Sequence, residues 1–205
     1  MNQPQWVLFP VIIPLAGAAV GLLLRHQRRV QAYGSLGVIL TALAASLYLL
    51  ARVYAHGPQV AQLGGWAAPY GISLTADLTA ALFVVMAQAV LSTGFIYALG
   101  CNDRCSRFPT FYPLFLTLST GLTGVFLTGD LFNLFVFAEL LVISGAALTA
   151  ISDDPLGLEA AYKYFLISLL ASLFLLVAAG SLYVSYGTPN LADLSARIAA
   201  DPTRP

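Results

Sequence analysis

Six apolar stretches, each about as long as a membrane-crossing helix, dominate the sequence and leave little room for another architecture. A bilayer-spanning helix needs about 20 mostly apolar residues. The first stretch runs from about Trp6 to Leu24 and stops at Arg25, His26, Gln27, Arg28 and Arg29. The others cover roughly Val30 to Ala55, Asp77 to Leu99, Phe111 to Thr128, Leu131 to Ile151 and Glu159 to Tyr186. A polar loop with Gly and Pro joins the second to the third, with Trp66 and Tyr70 as interfacial aromatics. Gly129-Asp130 is the whole connection between the fourth and the fifth, and SDDPLGL precedes the sixth. The expected fold is an all-α integral membrane protein. Residues 1–186 form one six-helix transmembrane domain, and 187–205 form a polar tail in which NLADLSARIAA is at most a short amphipathic helix.

Composition removes the soluble alternatives. Charged residues make up 9% of the chain, against about 25% in an average soluble domain. A water-soluble globule could not cover its surface with so few ionic groups. Nine basic and nine acidic residues give a net charge of zero, so no basic patch exists for nucleic acid. Cys101 and Cys105 share a short loop, and His26 and His56 sit at different helix ends, which leaves no metal-ligand set. No glycine-rich phosphate loop, catalytic triad or haem-ligating histidine pair occurs, so no cofactor and no metal are expected. The first apolar stretch outruns a signal-peptide core and no small-residue cleavage site follows it, so it reads as a first span. Arg25, Arg28 and Arg29 follow span one, and Arg104 and Arg107 follow span three; the loops after spans two and four have only Arg52. The positive-inside rule then makes those odd-numbered loops cytoplasmic and places both termini outside, although the tail carries Arg197 and Arg204.

Few charges fall within the spans. Glu139 lies nine residues after Asp130, about 13 Å along the fifth helix at 1.5 Å per residue. A charged carboxylate at mid-membrane costs about 2.5–3.5 kcal/mol even on the lenient insertion scale, and such groups usually face a bundle interior or a hydrated path. A carboxyl placed there is suited to taking up and releasing protons. The plainer reading is a neutral, hydrogen-bonded Glu at a helix contact. Lys163, the only lysine, starts the sixth helix four residues after Glu159. An i,i+4 pair and snorkelling to the headgroups account for it; a buried ammonium reaching toward Glu139 is the alternative. Asp77 and Asp130 read as N-caps, and Asn133 as an interhelical donor. Gly34, Gly37, Gly121, Gly124 and Gly145 read as positions of close helix approach.

The stretch TGDLFNLFVFAELLVISGAALTAI, from Thr128 to Ile151, closely resembles the fifth helix of the D subunits of Mrp-type monovalent cation/proton antiporters. That family is related to the antiporter-like, proton-pumping subunits of respiratory complex I and membrane-bound hydrogenases. GGWAAPYGISLTADLTAALFVVM (Gly64 to Met86) and EAAYKYFLISLLAS (Glu159 to Ser172) agree with it. The resemblance implies that Glu139 is an essential member of a proton path and that Lys163 pairs with it to tune its proton affinity. It implies no transfer role for Asp130 or Asn133. It also implies a bundle of about fourteen helices built on two inverted five-helix repeats that begin at the fourth helix. This chain then holds three leading helices and three-fifths of the first repeat, an incomplete antiporter-like bundle. The broken seventh helix, with its further lysine, would lie beyond residue 205.

The implied function is proton translocation within a multi-subunit Na⁺ (monovalent cation)/H⁺ antiporter of a bacterial inner membrane. Its partners would be other subunits, the lipid bilayer, protons and monovalent cations, with no nucleic acid. Two alternatives stand beside it. One is a proton-pumping membrane component of a complex-I-like dehydrogenase or hydrogenase; the other is a non-transporting scaffold component.

Overall fold

The computed structural model describes residues 5–66, 71–101, 105–151 and 154–200. Tyr70, Arg104 and Arg204, named above, lie outside them. A short 3₁₀ turn leads into α1 (Phe9–Leu23), followed by α2 (Arg28–His56), β1 (Gln59–Gln62) and β2 (Ser73–Ala76). Then come α3 (Leu78–Cys101), α4 (Phe111–Leu127), α5 (Leu131–Ala150), α6 (Pro155–Tyr186) and α7 (Leu191–Ala200). Five of these helices are long and apolar enough to cross a membrane, counting the turn before α1 with it, and α4 is a shorter apolar helix of 17 residues. The chain is a multi-pass membrane protein of six apolar helices.

Local chemistry sets most of the boundaries. The Asp130 carboxylate accepts from the Asn133 amide at 2.9 Å, and Asp77 from the Ala80 amide at 2.7 Å, so both aspartates cap helices as expected. α6 begins earlier than Glu159, because Asp154 accepts from the Gly157 amide at 2.7 Å and Pro155 fits the first helical turn. It ends at Gly187, whose φ of +71° is the left-handed cap that glycine adopts without a Cβ clash.

α4 is the hub. It packs against α1, α3 and α5, while α2 bridges α1 and α3, and α6 packs chiefly on α5. Two apolar clusters fill the inner bundle. One, around Val7, Val11, Leu49, Val84 and Leu127, lies toward the end that carries the β-hairpin. The other, around Ala18, Ile39, Leu91, Phe95 and Leu116, lies toward the opposite end.

The hairpin end is stitched by backbone. β1 and β2 pair antiparallel in the register Gln59↔Ala76 to Gln62↔Ser73. The Gly129 amide donates to the Ser73 carbonyl at 2.9 Å, and the Leu131 amide to the Pro189 carbonyl at 2.9 Å. The Leu191 amide returns to the Gly129 carbonyl at 2.9 Å, and Asn190 Nδ2 donates to Ser73 Oγ at 2.6 Å. Thr188 and Asn190 are buried here, so the segment after α6 is a fitted part of the bundle end as well as a polar tail.

Candidate functional site

α5 positions Glu139 between two constraints. On one side its backbone lies against the glycines of α4. A Cβ added at Gly121 would sit 2.8 Å from the Leu141 nitrogen, and one added at Gly124 would meet the Phe137 ring. Gly121 and Gly124 therefore permit close approach, as expected. Glu139 lies two residues from both Phe137 and Leu141, about 200° around the helix, and so projects away from α4. Toward the end of α5, Gly145 faces the Tyr164 ring of α6, 3.4 Å from a would-be Cβ to the hydroxyl. One carboxyl oxygen of Glu139, Oε1, is enclosed by protein without a hydrogen-bond partner. An enclosed acceptor of this kind calls for a proton donor, a water or a cation.

Lys163 is placed differently from a direct partner of Glu139. Its ammonium pairs with Glu159, one turn back on α6, and the two side chains are 67% and 57% exposed. Helical side chains lean toward the N-terminus of their helix, which carries Lys163 toward the α5–α6 connection. Its neighbour Tyr164 lies level with Gly145, six residues and about 9 Å along α5 from Glu139. The structure thus brings Lys163 together with Glu159. Asn133 Nδ2 donates to Thr128 Oγ1 at 3.1 Å, which ties the first turn of α5 to the end of α4.

Two buried amides escaped the sequence reading. Gln88 of α3 is fully buried, and its Nε2 donates to Ser119 Oγ at 2.9 Å and Thr123 Oγ1 at 2.8 Å on α4. Its Oε1 and the Ser92 hydroxyl, one turn further along α3, are enclosed without partners. Exchanging the amide's O and N leaves the same end of the group unpartnered, so this seam has room for one more polar contact whichever way the amide lies. A glutamine amid FVVMAQAVLS was the available signal. Gln31 of α2 donates from Nε2 to the Gly21 carbonyl and the Pro109 carbonyl, both at 2.7 Å. At the hairpin end the Arg52 guanidinium lies 4.6 Å over the Trp6 ring. Gly34 and Gly37 correct the close-approach expectation: a Cβ at either meets nothing within 4 Å, so they face away from this bundle. Among the described residues no group of three His, Cys, Asp or Glu side chains is arranged to hold a metal.

Comparison with known proteins gives this geometry a context. The chain is 35% identical over 196 residues to the D subunit of the Na⁺/H⁺ antiporter of Alkalihalophilus pseudofirmus, covering 94% of this chain and 39% of that protein. It superposes on a chain of the Mrp complex from a Dietzia species with a TM-score of 0.85 and 25% identity, covering 96% of this chain and 40% of the other. A chain of the archaeal membrane-bound sulfane sulfur reductase, a respiratory membrane complex, matches with a TM-score of 0.83 and 32% identity over 93% of this chain and 39% of that one. The chain thus spans about two-fifths of the length of the relatives it matches. Residues 87–203, more than half of the chain, match the family described as NADH dehydrogenase I, subunit N related protein. On that match the chain belongs to this family of NADH dehydrogenase I-related membrane proteins.

Proposed function

We propose that this chain is the N-terminal, proton-translocating part of one component of a multi-subunit monovalent cation/proton antiporter of a bacterial inner membrane. The observation that carries the reading is the enclosed, partnerless Glu139 oxygen near the middle of α5. A carboxyl in such surroundings exchanges a proton with whatever water or side chain reaches it, and intramembrane carboxyls of this kind mark proton relays. The name of the A. pseudofirmus relative, a Na⁺/H⁺ antiporter component, supplies the cation/proton pairing. In this scheme Lys163 divides its time between Glu159 and a position nearer Glu139, and its approach favours the ionised carboxyl. The remaining groups of the path come from helices outside this chain. Arg25, Arg28, Arg29 and Arg107 gather at the end opposite the hairpin; by the positive-inside rule that end is cytoplasmic and both termini are external.

The test is Glu139→Gln in the assembled complex, read as cation-driven proton movement in membrane vesicles. Exchange is expected to fall to background while the complex still assembles. Wild-type exchange in that variant would overturn the proton role, and unchanged exchange with both Glu139 and Lys163 neutralised would leave a scaffold role. A second reading, a proton pump powered by redox chemistry in partner chains, is favoured by the likeness to the sulfane sulfur reductase chain. Co-purification with iron–sulfur proteins would select it.

A further inference from the structure

We propose that the cavity beside the first turn of α2 is a binding site for the phosphate headgroup of an anionic membrane phospholipid. The cavity has a volume of about 450 Å³ and opens at the end of the bundle opposite the hairpin. Arg28 and Arg29 from α2 and Arg107 from the turn before α4 line it, together with the tyrosines Tyr33 and Tyr112. Among the described residues that line it there is no carboxylate. The ion pairs among the described residues are Lys163–Glu159 and Arg197–Asp193, so none of the three arginines is neutralised by a described acid. Three arginines drawn from segments nearly 80 positions apart in sequence line one space that no described acid neutralises. Guanidinium forks match phosphate oxygens geometrically as well as electrostatically.

The wall is preorganised. Gln31, 2% exposed, spends its amide hydrogens on the Gly21 carbonyl at the end of α1 and the Pro109 carbonyl before α4. Those two bonds hold the first turn of α2 against both neighbours, so the arginines start from fixed backbone. The first turn of α2 has no side-chain cap, which leaves its positive dipole end facing the same region.

The lining also selects an amphiphile over a free anion. Ala32, one turn further along α2 than Arg28 and Arg29, and Leu99 of α3 add apolar lining, and Tyr33 is largely exposed. A site at a helix end, with basic and apolar lining, sits at headgroup depth and has room for the start of an acyl chain. Basic pockets between membrane helices recognise anionic headgroups in this way. Inorganic phosphate would satisfy only the basic part.

The test uses the full chain in detergent, with phosphatidylglycerol, phosphatidylcholine and inorganic phosphate as probes. Lipid retention is followed by native mass spectrometry, and helix content by circular dichroism. Wild type is expected to retain phosphatidylglycerol in preference to phosphatidylcholine. Arg29→Gln and Arg107→Gln should each weaken that retention about fivefold, the effect expected of one basic residue near an anionic surface. Arg107 lies in a surface turn, so its replacement leaves the helices intact even if Arg29→Gln perturbs α2. Arg25→Gln removes the same charge from the same end but lies outside the cavity lining, and should leave retention unchanged. Equal loss in Arg25→Gln would mean diffuse surface charge and would overturn the site. Equal retention of phosphatidylcholine, or displacement of the lipid by millimolar phosphate, would overturn the assignment to an anionic phospholipid.

Discussion

At the scale of single residues, the informative groups are those whose hydrogen-bond accounts do not close. Glu139 and Gln88 each enclose an oxygen without a donor, whereas Asp77 and Asp130 are satisfied by caps within three residues. That contrast decides what sequence alone can reveal. A cap is a local device, legible from spacing, and both aspartates were readable. Glu139 was readable because any carboxylate amid apolar residues is costly. Gln88 and Gln31 were not, since their partners are 10, 31, 35 and 78 positions away on other elements. Lys163 shows the limit from the other side: both of its readings were visible, and only the folded chain places its ammonium on Glu159. That pair is largely exposed, so it is a weak restraint. Glu159→Gln should therefore free Lys163 and change the rate of exchange in membrane vesicles. An unchanged rate would mean that the Lys163–Glu159 pair takes no part in exchange.

Elements add constraints that no single residue carries. α4 is the shortest span and touches the most neighbours, so its glycines act where backbone meets backbone. Gly121→Val should destabilise the α4–α5 contact by about 1–3 kcal/mol, the usual range for overpacking. The readout is the melting temperature of the detergent-solubilised chain, with Gly34→Ala as the comparison expected to change little. Sequence spacing could not separate these glycines, because it shows a small residue without showing what stands opposite. The hairpin was missed for a related reason: four-residue strands are too short to show an alternation, and their pairing with the turn at Gly129 is tertiary.

α7 offers a pH test. Asp193 is held below the usual carboxylate range near 3.8, first by the Arg197 hydrogen bond and then by Thr188, against a small opposing effect of burial. Because the folded value is the lower one, the pair's contribution is complete above the ordinary range and is lost as pH falls through the folded value. Amide exchange across residues 191–200, corrected for its intrinsic pH dependence, should accelerate in acid. Asp193→Asn should show the same acceleration at neutral pH.

For the whole molecule, the six apolar spans were legible because bilayer thickness sets their length. Their neighbours were not, since helices that all present apolar surfaces carry no address for one another. The chain contains its own probes of orientation. Cys101 and Cys105, its two cysteines, are unpaired thiols at the arginine-rich end. A membrane-impermeant maleimide should label them in inverted vesicles and not in intact cells; the reverse pattern would invert the topology.

α6 has a further consequence. It is 32 residues long, about 48 Å at the helical rise, with only Ala161, Ser172 and Ala179 buried. It leans on α5 along one flank and is moored at its far end by the segment that pairs with Gly129 and Leu131. A rod held along one flank and tied at its far end presents most of its surface outward, so side chains on its outer faces meet lipid or a neighbouring helix and not the core of this bundle.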